Sequence, residues 1–127
     1  MRGERTIALP EFLVGPKRNA LADDELILGV SVDEEPGRQT FMKVGPRNAM
    51  VISVVSLALR VDGELLAAFG SAGPVPTLVR APLDEADSLP ERVAEAASPI
   101  DDVRGTAAYR RHSLRVLTKR ALERCLA

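Results

Sequence analysis

Residues 51–69, VISVVSLALRVDGELLAAF, decide the fold of this chain. Two apolar runs flank Asp62-Gly63, and an Asp-Gly pair supplies the positive φ angles that a two-residue primed turn requires. The reading is an antiparallel hairpin whose first strand begins at about Val54 and whose second covers Leu65 to Phe69. The stretch Arg47 to Ile52 fits a helical turn equally well, because periodicity does not separate a short buried helix from a buried strand.

Working upstream, Gln39 to Val44 (QTFMKV) has strand composition and stops at Gly45-Pro46. Before it, Glu25 to Val32 (ELILGVSV) mixes aliphatic and β-branched residues and ends at the charged turn Asp33 to Gly37. These two are expected to pair as a hairpin. Glu4 to Leu9 reads as a short strand, followed by a turn-rich stretch through Pro10, Gly15, Pro16 and Asn19 that has the character of a tail or connector.

Downstream, GSAGPVP at 70–76 ends the sheet region, and the remainder is alanine-rich, charged and helical. Pro82 to Leu89 and Pro90 to Ala97 each place a proline near the start and acids in the first turn, where they complement the helix dipole. Thr106 can cap a longer helix from Ala107 to about Leu126, with Leu114, Leu117, Ala121 and Cys125 forming one apolar stripe. Strands followed by helices, without βαβ alternation, predict an α+β fold: an antiparallel sheet of three to four strands packed against about three helices, the C-terminal one long.

A chain of 127 residues that is 46% hydrophobic suits one core, burying roughly two-thirds of its unfolded surface. A net charge of −1 gives no electrostatic footprint for nucleic acid or an anionic membrane. The four aromatics, Phe12, Phe41, Phe69 and Tyr109, are too few for a base-stacking surface. Charge is nevertheless segregated: 82–103 holds seven acids against Arg92 alone, and 104–127 seven cations against Glu123 alone. Helices that pack with complementary faces explain this better than a nucleic-acid patch on the last helix. The apolar stretch Ala49 to Leu59 is interrupted by Ser53 and Ser56 and falls short of the roughly 20 residues of a membrane helix. No targeting segment is read at the start, and a cytoplasmic location is expected.

Self-contained chemistry is not visible. The only histidine, His112, lies on the charged side of the last helix, without a nucleophile and orienting partner beside it. Cys125 reads as a small buried hydrophobe, so neither a disulfide nor a metal site is expected. Asp101 and Asp102 would point apart, which favours helix-start or salt-bridge roles over paired acid–base work. In GSAGPVP, Pro74 and Pro76 stand where a phosphate cradle needs backbone donors, so a structural turn is the better account.

Three stretches together resemble one family. They are FMKVGPRNAMVISVVSLAL at 41–59, FGSAGPVPTLVRA at 69–81 and IDDVRGTAAYRRHSLRVLTKRAL at 100–122. In this order and spacing they are similar to the C-terminal domain of the FAD-binding (medium) subunit of molybdenum hydroxylases, of the xanthine dehydrogenase and carbon monoxide dehydrogenase flavoprotein type. RTIALPEFLVGPKRNALADDELILGVSV, at 5–32, resembles the end of the preceding FAD-binding region and the first strand of this domain. The resemblance implies a connector over 1–22 and the C-terminal-like domain over 23–127. It implies an oxidoreductase part that helps close a flavin site and contacts molybdenum-binding and iron–sulfur partners in electron transfer. Such a part is not expected to be catalytic alone.

By the same resemblance, Lys43 matches a lysine that reaches the flavin ring, and Ile27 an apolar residue that contacts it. The glycine-rich segments that hold the FAD pyrophosphate in the family are missing from this sequence, so the chain alone should hold FAD poorly. The competing expectation is a free-standing protein-interaction module that kept the fold without redox activity.

Overall fold

A computed structural model describes residues 3–48 and 50–127. The alternative of a helical turn over 47–52 includes Ala49, which lies outside the described residues. In chain order the elements are α1 (Leu9–Phe12), β1 (Leu13–Gly15), β2 (Arg18–Asn19), β3 (Arg38–Val44), β4 (Val55–Asp62), β5 (Glu64–Gly70), β6 (Thr77–Pro82), a 3-10 turn (Leu83–Ser88), α2 (Leu89–Ala96) and α3 (Ala107–Leu126). The chain divides into two units between Glu34 and Glu35.

In the first unit, β1 and β2 form a small antiparallel hairpin turned at Lys17, whose φ is 57°. Arg5 ties the chain beyond this hairpin together. Its Nε and Nη2 donate to the two carboxylate oxygens of Glu25 at 2.7 and 2.6 Å, and Nη2 also donates to the Ala20 carbonyl at 2.8 Å. The expected strand over Glu4 to Leu9 is absent: residues 3–8 have no regular structure and Leu9 starts α1. The expected strand over Glu25 to Val32 is absent as well, and residues 25–34 pair with no strand among the described residues. Its composition suits a strand, but a strand exists only where a neighbour takes its backbone hydrogen bonds.

The second unit is built on the hairpin read at 51–69. β4 and β5 are antiparallel, with Asp62 opposite Glu64 and Gly63 at the tip (φ 68°), a tighter closure than a two-residue turn. β3 and β6 flank this pair, giving a four-stranded antiparallel sheet in the order β3-β4-β5-β6. β3 therefore pairs with β4 rather than with Glu25 to Val32. Strand β6 is not expected from the sequence, where Thr77 to Pro82 lies between two prolines and resembles the approach to a helix. Gly37 turns the chain into β3 with φ 102°, and a Cβ there would come within 2.5 Å of the Val61 carbonyl oxygen. Only glycine meets both conditions.

One face of the sheet is the core side. Val55, Leu57, Leu59, Leu65, Ala67 and Phe69 point inward, each at most 2% exposed, against Leu89 and Val93 of α2 and Leu114, Leu117, Ala121 and Cys125 of α3. The apolar stripe of the last helix is thus its buried face. Thr106 caps that helix by accepting from the Tyr109 amide at 3.1 Å. At the other end Arg38 of β3 donates to the Ala127 carbonyl, placing a cation where the helix dipole is negative.

Between α2 and α3 the opposed charges of 82–103 and 104–127 meet in the pair between Arg115 Nε and Glu91, at 2.6 Å. Pairs as exposed as this one stabilise by about 0–1 kcal/mol, whereas each fully buried leucine contributes roughly 1.5–3 kcal/mol. Apolar contact, not charge, therefore holds α2 to α3. No helix among the described residues is long and apolar enough to cross a membrane.

Candidate functional site

Because strands alternate their side chains, the register that buries one set of residues exposes the other on the helix-free face. There Phe41, Ala58, Ala68 and Leu78 form one continuous cross-strand row, each directly opposite the next. The two alanines make a low floor, and Phe41 and Leu78, 64% and 49% exposed, stand as walls on the outer strands. The result is a shallow groove of about 350 Å³. Large apolar residues left in water beside small ones are a surface shaped to be covered.

On one side of this row lie Lys43, Ser56 and Gly70, again directly opposite one another across β3, β4 and β5. A Cβ at Gly70 would come 3.0 Å from Ser56 Oγ, so the glycine keeps this row flat. Lys43 is exposed and donates from Nζ to the Val51 carbonyl at 3.1 Å, in the loop before β4, and it does not itself line the groove. An ammonium has three donors, so this bond does not exhaust it. On the other side lie Gln39, Arg60, Leu66 and Arg80. Arg60 is ion-paired with Glu35 and Arg80 with Glu64 at 2.9 Å. The face offers an apolar trough with a lysine in the adjoining cross-strand row, which suits one side of a flat ring carrying polar or anionic edge atoms.

The loop 70–76 that borders the Lys43 end is fixed from beneath by Arg110. This guanidinium, 2% exposed in α3, donates from Nη1 to the carbonyls of Val54 at 2.8 Å and Ser71 at 2.5 Å. Its Nη2 donates to Asp102 Oδ1 at 2.5 Å. The same Asp102 oxygen accepts from the Arg104 amide at 2.8 Å, and its second oxygen from the Arg104 side chain. These bonds, the backbone donor first, outweigh partial burial and hold the Asp102 carboxyl down at about 2. Ser71 adopts φ 62°, a conformation that costs a non-glycine residue energy, and the Arg110 bond to its carbonyl holds it there.

His112, Cys125, Asp101 and Asp102 lie where the sequence reading puts them, whereas the strand read around Ile27 is absent. His112 is exposed on α3, beside a groove with Tyr109, Val116 and Arg120. Cys125 is buried, and burial pushes its thiol up while nearby Arg38 opposes the shift. Asp101 accepts from the Ala107 amide at the start of α3, and Asp102 is engaged by Arg104 and Arg110, so neither is paired for acid–base work. Ile27 belongs to the first unit and is 58% exposed. Among the described residues no group of three or more His, Cys, Asp or Glu is placed to hold a metal. Nothing in the sequence singles out Phe41, Ala58, Ala68 and Leu78 as a group. The alternation of TFMKV does set Phe41 and Lys43 on one face, but which residues stand beside them follows only from strand register.

No protein-family model matches the chain. It is 31% identical over 138 aligned residues to the nicotine 6-hydroxylase medium subunit of Paenarthrobacter nicotinovorans, an alignment covering 96% of this chain and 48% of that protein. Among solved structures it is similar to quinoline 2-oxidoreductase from Pseudomonas putida 86, with a TM-score of 0.84 at 18% identity, over 95% of this chain and 48% of that one. It is also similar to reconstituted CO dehydrogenase from Oligotropha carboxidovorans, with a TM-score of 0.77 at 19% identity and the same two coverages. The chain thus spans about half the length of the proteins it matches, and its fold is that of the corresponding part of those enzymes.

Proposed function

Since this chain is a relative of hydroxylase medium subunits, matching about half of one, we propose that it is the C-terminal part of the FAD-binding subunit of a molybdenum-containing hydroxylase and closes one side of the flavin site. The observation that carries this reading is the helix-free sheet face, where the row Phe41–Ala58–Ala68–Leu78 lies beside Lys43. That face fits the ring system of a flavin. It does not fit the pyrophosphate, for which the chain has no glycine-rich cradle, so the main anchor of the cofactor belongs to a region other than the one described.

Bound flavin would supply reversible electron uptake between the molybdenum and iron–sulfur partners and an acceptor. The contributions of this chain are binding and electrostatics. Phe41 and Leu78 flank the ring and, with the alanine floor, exclude water from one side of it. Lys43 holds a positive charge near the ring edge, where it stabilises the additional negative charge of the reduced state. By the resemblance Ile27 is the apolar residue that would touch the ring, and Arg110 keeps the bordering loop in place. On this reading residues 1–22 are the end of the FAD-binding region and 23–127 the domain that covers it. The similarity to a hydroxylase medium subunit weighs against a free-standing interaction module.

The test is reconstitution. The half of the nicotine 6-hydroxylase medium subunit that this chain does not match is loaded with FAD, mixed with this chain and passed over a sizing column. The proposal expects FAD to be retained better with the chain than without it. Equal loss in both would refute it.

A further inference from the structure

Helix α3 packs against both α2 and β3, and its cations are not all neutralised. Toward α2, Arg115 pairs with Glu91 at 2.6 Å and Arg111 donates to the Ala97 carbonyl at 3.2 Å. Arg110 is taken up by Asp102, as is Arg104 just before the helix. Arg120, beside β3, and its neighbour Lys119 are exposed and make no ion pair or hydrogen bond among the described residues. The helix dipole accounts for Arg124 in the last turn, but its effect fades within that turn and leaves Lys119 and Arg120 unexplained.

Arg120 also stands at the end of a groove. Tyr109, His112, Val116 and Arg120 recur at helical spacing, which sets them on one stripe, and with Val44 of β3 they line a concavity of about 210 Å³. Tyr109 is 47% exposed, and His112 is exposed beside it. Val44, Val116 and the Tyr109 ring make the apolar part of this lining, and His112 and Arg120 the polar part. Tyrosine and arginine are enriched at protein interfaces and carry a large share of the binding energy there.

We propose that this groove is a docking site for an acidic segment of another polypeptide, with carboxylates on Arg120 and Lys119 and an apolar side chain between Tyr109, Val116 and Val44. Charge complementarity selects that occupant. Two adjacent cations stand without counter-ions in a chain whose net charge is −1. Glu123, one turn further along α3, is exposed and pairs with neither of them. It opposes a ligand of continuous negative charge, such as a nucleic acid, more than a segment that alternates carboxylates with apolar residues. The inference does not rest on the flavin reading. The groove lies between α3 and β3, whereas the row assigned to the flavin lies on the helix-free face of the sheet.

The experiment titrates this chain, without flavin, and follows its backbone amide signals by NMR. Three ligands are compared: the synthetic nonapeptide Glu-Asp-Leu-Glu-Glu-Leu-Glu-Asp-Leu, its counterpart with Gln and Asn in place of the acids, and a single-stranded oligodeoxynucleotide of equal charge. The acidic peptide should shift the signals of Tyr109, His112, Val116 and Arg120 and bind roughly tenfold tighter than its amide counterpart. It should also bind roughly tenfold tighter than the oligonucleotide. Arg120→Glu and Tyr109→Ala should each weaken it roughly tenfold. Arg115→Glu makes the same change of charge on the flank that faces α2, and should stay within about threefold of the parent.

The comparison of acidic and amide peptides needs no change in the protein, so it holds even where a variant fails to fold. Absence of binding, or equal binding by the amide peptide, overturns the proposal. An oligonucleotide that binds as tightly as the acidic peptide overturns it in favour of nucleic acid. Arg115→Glu as damaging as Arg120→Glu reduces the effect to net charge and overturns the assignment of the groove. Shifts of the same four signals that grow with the concentration of the chain alone identify a second copy as the occupant and also overturn it. None of these results bears on flavin retention, which is read in the separate reconstitution.

Discussion

Arg110 Nη2 and Asp102 Oδ1 lie 2.5 Å apart, joining the buried face of α3 to the loop that precedes it, while the same guanidinium reaches the carbonyls of Val54 and Ser71. One side chain therefore ties the helix layer to the start of β4 and to the loop after β5. Asp102 and Arg110 fall within the stretch 100–122, one of the three that carry the resemblance, and the structure gives them a physical task.

Arg110→Met keeps most of the aliphatic stem but takes the buried donor from the Val54 and Ser71 carbonyls and leaves Asp102 to Arg104 alone. Hydrogen bonds to a charged group of this kind stabilise by about 1.5–3 kcal/mol, and breaking a buried pair from one side costs more than the pair contributes. The expected loss is about 3 kcal/mol in urea unfolding of the whole chain. A loss below about 1 kcal/mol would show that the brace is incidental.

Asp102 gives stability a dependence on acid. Its folded-state carboxyl is lowered from 3.8 to about 2, so between those values the unfolded chain binds more protons than the folded one. The contribution is complete above the unfolded value and disappears as pH falls through about 2. The urea midpoint of the parent should therefore drop over that window. Asp102→Asn should start lower at neutral pH and lose less on acidification; an equal drop in both would place the acid sensitivity elsewhere.

Thr106→Ala should cost about 1 kcal/mol, the usual loss when a helix N-cap oxygen is removed. Thr106→Ser, which keeps the acceptor for the Tyr109 amide, should restore most of it. If serine behaves like alanine, the cap is not what the threonine contributes.

The elements legible in the sequence are those specified by local chemistry. Asp62-Gly63 announces its hairpin, Thr106 announces the start of α3, and the stripe Leu114, Leu117, Ala121 and Cys125 announces which face is buried. The strand at 77–82 and the unpaired segment at 25–32 defeat sequence reading for one shared reason, because pairing is decided by distant residues. Thr77 to Pro82 becomes a strand because β5 offers it an edge, whereas ELILGVSV has better strand composition but pairs with no strand among the described residues. The site shows the same division. Lys43 could be singled out by resemblance, but the floor beside it needs the register that sets Ala58 opposite both Phe41 and Ala68.

The most direct test of the flavin-facing assignment is the reduction potential of FAD in the reconstituted complex of this chain with the unmatched half of the relative, compared between the parent and Lys43→Met. Loss of a positive charge beside the ring should leave the complex and its FAD content intact and lower the potential, because the reduced state loses its electrostatic partner. A potential that does not change on substitution would contradict the claim that this face of the sheet lies against the flavin.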